Sequence, residues 1–549
     1  MITTIKKYLP YLSVVIAIVL PWFFYSGYLF ATDMVWGPKI NIDWTSNWFL
    51  MNLVTKILSF VFSVAFLEKI FIALTIFIVL WGGRKIASYF LEDKIAIFVI
   101  SLFALFNPFV YDRMMYGQVG IVLAFGLFIL AIGYLLDYYK NGKGKSLTYF
   151  GIFAGLTLQF SVHFIFFLGI IFVLFLVLLF LKYLKPSMDS RLRGNENGWK
   201  NFIKYIFIAG ALCILLNANW IVGNFVSKNS TANFVSSGIT KQDLLAFKTS
   251  GSSNGQVLSN VLLMSGFWGK DQYRYADLTS VKSNWGKSFF FLLPLILIGL
   301  YFGIRKKETR ALSIGLSIVF VVSVVLASGI GVSYFQNFTY WLFDNVPLYK
   351  GLRETQKWVS VITLIYLIFI SIGVKTILET KIFSVHKKML LTFVGAVIIM
   401  QAPFLLWGFS GQLKPTQYPA DWNVVNKEMQ CSANDKFLFL PWHLYMSFNW
   451  VGKIIATPAG TYFDCPVISS SAMEWGGIYD NSQNSDSQKV NAWLSAKGNT
   501  DLLKNNEPGI KYILLAKEID WKNYLWIEKL PNVKLINETE TLKLYAVQL

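Results

Sequence analysis

The chain is 549 residues long, 55% hydrophobic and 17% aromatic, with only 14% charged residues and a mean hydropathy of +0.52, whereas a soluble domain carries about a quarter charged residues. A formal charge of +19 would suit a nucleic-acid binder, but the basic residues cluster between long apolar runs, so their role is topological and no nucleic-acid partner is expected. Three cysteines, the absence of heptads and the apolar excess exclude a disulfide scaffold, a coiled coil and a disordered chain, leaving a polytopic α-helical membrane protein.

A first run, Tyr8 to Phe30, follows Lys6 and Lys7. It is too long for a signal peptide, lacks a small-residue cleavage site and precedes many similar runs, so it reads as a retained first helix. Crossing about 30 Å of hydrocarbon takes about 20 apolar residues, because every backbone amide must be bonded within the segment. Further runs are Ile70 to Gly83, Ile95 to Val110, Val119 to Leu136, Leu147 to Phe160, Val162 to Leu181, Phe202 to Val222, Ser288 to Ile304, Ala311 to Gly331, Trp358 to Thr376 and Met389 to Phe409. Together they predict about eleven spans. Asn47 to Glu68 is ambiguous: Lys56 interrupts it, and its apolar residues suit a membrane surface as well as a crossing.

Charge decides between these alternatives. With that piece interfacial, the cytoplasmic segments are the N-terminus, Arg84 to Lys94, Asp137 to Lys145, Lys182 to Lys204, Arg305 to Arg310 and Lys375 to Lys388, which hold 22 Lys and Arg, while the short opposite loops hold very few. An extra span would invert every later loop. The expected orientation therefore puts the N-terminus on the cytoplasmic side of the membrane and everything after about Gly411 on the outer side.

The membrane region is expected over 1–410, with outer loops at 31–69, 223–287 and 332–357, and a separate extracytoplasmic domain over 411–549. In that last stretch Lys436 to Leu440, Lys511 to Leu515, Val533 to Ile536 and Leu542 to Val547 are short runs of strand character among Asn, Gly, Pro and charged clusters. They predict a small α/β or mostly β domain, long enough to bury its own core. Cys431 and Cys465 both fall there, where an oxidising compartment permits a disulfide; two unpaired buried thiols are the other reading. No CxxC, metal-spaced Cys/His set, GxGxxG after a strand, Walker loop or GxSxG is present, so cytoplasmic nucleotide chemistry has no seat.

Three clusters at expected outer helix ends carry the strongly polar residues. Asp33 follows the first run, bracketed by aromatic residues and a Gly-Pro turn; it is either a carboxylate placed to take a hydroxyl proton or a solvated loop residue. The second cluster is Asn107-Pro-Phe-Val-Tyr-Asp112-Arg113-Met-Met-Tyr116-Gly-Gln118, in which Pro108 breaks or kinks the helix end and is expected to turn Asp112 and Arg113 into a short outer loop before the next span. Here Arg113 either grips a phosphate or pairs with Asp112. The third, Pro347-Leu-Tyr-Lys350-Gly-Leu-Arg353-Glu354-Thr-Gln-Lys357-Trp358, sets basic residues at an outer helix start, against the usual tendency. Arg353 and Lys357, four apart, would share a face near a helix N-terminus, where amides also favour an anion such as a lipid phosphate or diphosphate. The alternative is an Arg353–Glu354 ion pair.

Single polar residues signal less. His163, beside Ser161, is a candidate substrate contact or a hydrogen-bonded helix residue, as are Asn217 and Asn219, and His443 reads as structural. Asn-x-Ser/Thr matches at Asn229, Asn337 and Asn537 are frequent by chance.

The Asp33 loop, the Asn107 to Gln118 segment and Leu352-Arg-Glu-Thr-Gln-Lys-Trp358 together resemble the large bacterial membrane proteins grouped with the GT-C glycosyltransferases, relatives of the YfhO-type and arabinofuranosyltransferase-type proteins. The resemblance covers about residues 1 to 410. Tyr418-Pro-Ala-Asp-Trp422, Leu440-Pro-Trp-His443 and Gly509-Ile-Lys-Tyr-Ile513 are similar to the exterior tail of some members. The resemblance implies a GT-C-like fold, a polyprenyl-phosphate sugar donor as co-substrate, and a first outer loop whose carboxylate, here Asp33, is the general base. Many members pair acids in this loop, whereas Asp33 is followed by Met34 with Asp43 the nearest second acid, so a divalent metal stays an open element.

The expected chemistry is inverting transfer to an extracytoplasmic glycan or lipid acceptor. Asp33 would take the acceptor proton, and Arg353, Lys357 and Arg113 would hold the phosphate leaving group, with Asp112, Glu354, His163 and Gln118 as further substrate contacts. The rival class is a non-catalytic glycolipid-binding, transport or assembly protein in the same membrane lipid. Transporters usually carry internal repeats and broken midplane helices, and neither is visible here. The sequence does not speak to oligomeric state.

Overall fold

The computed structural model describes residues 2–184, 197–226, 235, 238–278, 284–380, 385–475, 478–480, 485–498, 502–505 and 508–548. Asn229 and the middle of the segment Lys182 to Lys204 lie outside them. The chain forms two compact units: Met1–Leu20, Asp43–Met51 and Phe71–Ser410 make the first, and Pro21–Ile42, Asn52–Ile70 and Gly411–Leu549 the second.

The helices α1 (Ile2–Val19), α2 (Phe49–Leu58), α3 (Val64–Phe90), α4 (Lys94–Ser101), α5 (Pro108–Tyr116), α6 (Val119–Asn141), α7 (Gly144–Phe160) and α8 (Phe164–Leu184) follow in chain order. Among the described residues eight helices are long and apolar enough to cross a membrane, or up to ten if each of two bent pairs is one span. The chain is thus a multi-pass membrane protein; among the described residues the expected run that falls outside this set is α7, whose 17 residues reach about 26 Å at 1.5 Å per residue. The first run is also shorter than expected. After α1 the chain tightens into a 3-10 turn at Leu20–Phe24 and, past Gly27 with φ +107°, enters a strand at Tyr28–Leu29, because Pro21 removes a helical amide and Gly27 supplies a left-handed turn. The ambiguous piece does not cross: α2 has 10 residues, about 15 Å.

Two features of the first unit place its polar residues. The pair Lys94–Ala104 and Pro108–Tyr116 bends by 50° at Asn107, whose side chain caps α5 by accepting from the Val110 amide at 3.0 Å, while its amide group donates to the Phe103 and Ala104 carbonyls at 3.0 and 2.9 Å. Pro108 sits at the first helical positions, where its missing N–H costs nothing. Farther on, the helices Leu293–Arg305 and Val359–Leu378 touch backbone to backbone. A Cβ on Gly299 would stand 1.8 Å from the Phe369 carbonyl oxygen, and one on Gly373 2.1 Å from that of Leu295, the close approach that small residues permit between membrane helices.

The second unit is built on a five-stranded sheet of β1 (Lys436–Leu440), β2 (Val467–Ile468), β3 (Ile510–Ala516), β4 (Val533–Glu538) and β5 (Leu542–Val547), in the order β4-β5-β3-β1-β2. The first three strands in that order are antiparallel, and β1 runs parallel to β3 and β2. Alternation along β1 sends Phe437 and Phe439 to a core with Trp422 and Val425 of the helix Ala420–Glu428, and Leu438 and Leu440 to a core with Val490 and Trp493 of the helix Ser485–Ser495. Helices therefore cover both faces, and the domain is α/β. Phe30 is buried in the first of these cores, with Tyr28 and Val35 packed against it, and Tyr28–Leu29 pairs antiparallel with Pro415–Thr416. This is why the loop after α1, expected as an outer loop of the membrane region, clusters with the C-terminal segment. A disulfide joins Cys431 and Cys465.

Candidate functional site

In the first unit, α5 and the segment before the helix Val359–Leu378 bring Arg113, Glu354 and Lys357 together. Gly117, with φ +93°, ends α5 in the left-handed conformation that favours glycine. The chain folds back so that the Gln118 side-chain oxygen accepts from Arg113 Nη1. The same nitrogen donates to Glu354 Oε2 at 2.5 Å, and Nη2 donates to Gln356 Oε1 at 2.6 Å. The guanidinium is fully buried, with the Phe267 ring 4.3 Å from it, a cation–π contact that partly replaces lost hydration.

Glu354 faces three donors: Arg113, Trp268 and Lys357. Trp268 Nε1 donates to Oε2 at 3.2 Å, and the Lys357 ammonium lies 3.2 Å from Oε1. Burial alone would push this carboxyl up; the Lys357 and Arg113 charges outweigh it and hold Glu354 well below the usual carboxylate range. Lys357 also donates to His163 Nε2 at 3.4 Å, so the neutral ring carries its hydrogen on Nδ1, 3.2 Å from the Ser161 hydroxyl oxygen. Burial and the neighbouring Lys357 charge lower His163 to about 3. With His163 neutral, two cations meet one carboxylate in this buried group. It carries a net positive charge, and an anion would relieve it.

Arg353 and Lys357 do not share a helical face. They fall in separate 3-10 turns, Tyr349–Leu352 and its cap, and Thr355–Trp358, because Glu354 leaves the helical region at ψ 78°. Arg353 instead donates to Asp243 Oδ1 at 2.9 Å and lies 4.6 Å from the Phe247 ring. Neither of the local pairings open at the sequence level forms: Arg113 bonds Glu354 rather than Asp112, and Arg353 bonds Asp243 rather than Glu354. Asp112 is buried and accepts from the Tyr275 hydroxyl at 3.1 Å. Asp243 also closes the capping box of the helix Lys241–Ala246 with Thr240, and the Thr-x-x-Asp spacing was a legible signal for it. Trp268, Gln356 and Tyr275 carried no comparable signal.

Asp33 belongs to the second unit. It sits exposed at the tip of a tight turn closed by reciprocal backbone bonds of 3.1 Å between Ala31 and Met34. Its Oδ1 accepts from the Tyr445 hydroxyl at 2.8 Å, and the Thr32 carbonyl accepts from the Ala456 amide at 2.9 Å. The turn is thus seated on the hairpin Tyr445–Phe448 with Lys453–Ala456. His443 in this unit lies between Glu474 and Asp520, at 3.0 and 3.3 Å. Among the described residues no group of three or more His, Cys, Asp or Glu could hold a metal ion.

No family model matches the chain, and no curated protein matches it. Among solved structures it is similar to the arabinofuranosyltransferase AftD from Mycobacteria, determined by single-particle cryo-electron microscopy: TM-score 0.61, 14% identity, over 98% of this chain and 40% of that one. A mutant of the same protein gives a TM-score of 0.60 and 13% identity over 99% of this chain and 42% of that one. The chain spans about two fifths of the length of the transferase it resembles. Bent helix pairs, a C-terminal sheet domain and a likeness that runs along nearly the whole chain agree, and the protein has a GT-C-like fold, shared with the AftD structures.

Proposed function

We propose that the protein is an inverting membrane glycosyltransferase that moves a sugar from a polyprenyl-phosphate-linked donor to an extracytoplasmic glycan or lipid acceptor. The observation that supports this most directly is a polar group and an apolar cavity served by one helix. The buried Arg113–Glu354–Lys357 group, with its surplus positive charge, stands at the start of the helix Val359–Leu378. Nine residues along, roughly 14 Å by helical rise, Tyr366 lines a cavity of about 660 Å³ whose other walls include Leu258, Leu262, Phe289, Ile296 and Phe320. A phosphate on the cations and an isoprenoid chain in the cavity match these two chemistries.

The donor carries its own activation, so no nucleotide is needed. The acceptor hydroxyl gives up its proton to a general base, the role that the resemblance implies for Asp33; its oxygen bonds the anomeric carbon, and the carbon–oxygen bond to phosphate breaks with its electron pair on the leaving phosphate. Arg113 and Lys357 stabilise that charge, with Arg353 more exposed beside Asp243. The disulfide Cys431–Cys465 supports an oxidising, extracytoplasmic compartment for the second unit, in line with the basic segments expected inside.

The test is transfer by the purified protein in liposomes, supplied with undecaprenyl phosphate carrying glucose, mannose or arabinofuranose. Asp33→Asn should abolish glycan product and still bind undecaprenyl phosphate; Arg113→Met with Lys357→Met should lose the binding. Unchanged product from Asp33→Asn removes the base role, and a wild type that binds carrier without any transfer leaves a glycolipid-binding protein.

A further inference from the structure

The first unit holds a second polar centre next to the cation group. Asp112 precedes Arg113 on α5, yet none of the bonds made by Arg113 goes to it. Only 3% of Asp112 is exposed. Its Oδ1 accepts from the Tyr275 hydroxyl, and its Oδ2 is buried with no hydrogen-bond partner among the described residues. Such an oxygen is costly to leave empty in a protein interior, and native structures rarely do so without a function for it.

The segment Phe267–Leu278 lies over α5 as a strap. The Tyr111 hydroxyl donates to the Ala276 carbonyl at 2.6 Å, that of Tyr116 to Gln272 Oε1 at 3.0 Å, and that of Tyr275 to Asp112. At the other end of the strap Trp268 donates to Glu354. One element therefore ties the Asp112 carboxylate, through its Oδ1, to the cation group. The charged groups that act on Asp112 are Arg113 on its own helix and Lys270 and Asp277 on the strap. A further anion would meet Asp112 and Asp277 together. A metal ion would lack ligands, since no group of three suitable side chains exists among the described residues. A neutral hydroxyl, which donates one hydrogen bond and adds no charge, satisfies the site.

We propose that Asp112 Oδ2 accepts a ring hydroxyl of the donor sugar, and so sets which sugar the protein takes, while Arg113 and Lys357 hold the phosphate one residue away along α5 and across the strap. This rests on the transferase reading above. Oδ2 is buried, so the strap lifts on entry and closes again over the sugar; its ties to α5 include the three tyrosine hydrogen bonds, the bond from Arg274 to the Tyr116 hydroxyl at 3.4 Å and the Phe267 ring against Arg113.

The experiment measures binding by the full-length protein in nanodiscs of two kinds of probe: bare undecaprenyl phosphate, and undecaprenyl phosphate carrying glucose, mannose or arabinofuranose. Asp112→Asn is expected to bind the bare carrier as the wild type does and to lose about 10- to 100-fold for the sugar-bearing carrier that the wild type prefers, the range of a hydrogen bond to a charged acceptor. Equal loss for both probes, or loss for neither, overturns the proposal. If Asp112→Asn does not fold, the wild type still decides. Backbone hydrogen exchange at 111–113 and 267–278 should slow with the sugar-bearing carrier relative to the bare one, and identical exchange overturns it. A wild type that binds neither probe overturns the transferase reading instead, an outcome distinct from both.

Discussion

Arg113 and Glu354, 241 residues apart in sequence, form a buried ion pair at 2.5 Å, with Lys357 on the other carboxylate oxygen at 3.2 Å. Removing the acid strands two cations in a low-dielectric interior. Glu354→Gln is therefore expected to cost about 3–5 kcal/mol, read as a fall in the unfolding temperature of the detergent-solubilised protein. The double variant Glu354→Gln with Lys357→Met, which removes one charge of each sign, should recover part of that loss. Undecaprenyl phosphate should raise the unfolding temperature of Glu354→Gln more than that of the wild type, because the phosphate replaces the missing anion. A Glu354→Gln protein as stable as the wild type, and no more responsive to carrier, contradicts the pairing.

The helices Leu293–Arg305 and Val359–Leu378 meet at Gly299 and Gly373, where an added Cβ would stand 1.8 and 2.1 Å from carbonyl oxygens. Neither backbone can shift cheaply. Gly299→Ala is expected to push the helices apart and to destabilise the first unit by about 1–3 kcal/mol, as overpacking does in other interiors. It should also widen the cavity lined by Ile296, Phe320 and Tyr366. Gly169, whose Cβ would meet nothing within 4 Å, supplies the control: Gly169→Ala should leave stability unchanged or slightly raised.

How far the sequence carried the argument depended on whether a signal was local. The break at Pro108 is written in a ring that cannot continue a helix, and it was legible; the short outer loop expected to carry Asp112 and Arg113 is instead the helix α5, which Asn107 caps and in which both are buried. The apolar runs and the strand runs of the C-terminal segment were legible too. The face shared by Arg353 and Lys357 was not, because two 3-10 turns replace the expected α-turn at a point where Glu354 is pulled into an ion pair from another helix. Asp243, Trp268 and Tyr275 reach their partners across 110, 86 and 163 residues, and separation of that kind leaves no periodicity to read. The same holds for Tyr28 and Phe30, which entered a core with Trp422 and Phe439.

The Cys431–Cys465 disulfide closes a loop across a sequence separation of 34. On chain-entropy grounds it stabilises the second unit by about 3–4 kcal/mol. Cys431→Ser with Cys465→Ser should lower the unfolding temperature reported by Trp422 and Trp493, and a reductant should do the same to the wild type only. In intact cells, a membrane-impermeant maleimide should label these thiols after brief reduction and not before. Labelling that needs permeabilised membranes would invert the proposed orientation of the second unit.

His163 offers a pH test of the cation group itself. Burial and Lys357 hold its folded-state value at about 3, below the ordinary imidazole value of 6.5, so the unfolded chain binds the proton that the folded ring refuses. Its contribution to stability is complete above about pH 6.5 and is lost as pH falls toward the folded value, with a slope on the order of 1 kcal/mol per pH unit from this one group. His163→Gln keeps an acceptor toward Lys357 without a titrating ring. The unfolding temperature of the wild type should therefore fall faster than that of His163→Gln between pH 6.5 and 5, while the two curves run parallel above pH 7. Parallel curves throughout would mean that the ring takes up its proton equally in the folded and the unfolded chain, which Lys357 at 3.4 Å would oppose; His163 would then not accept from that ammonium.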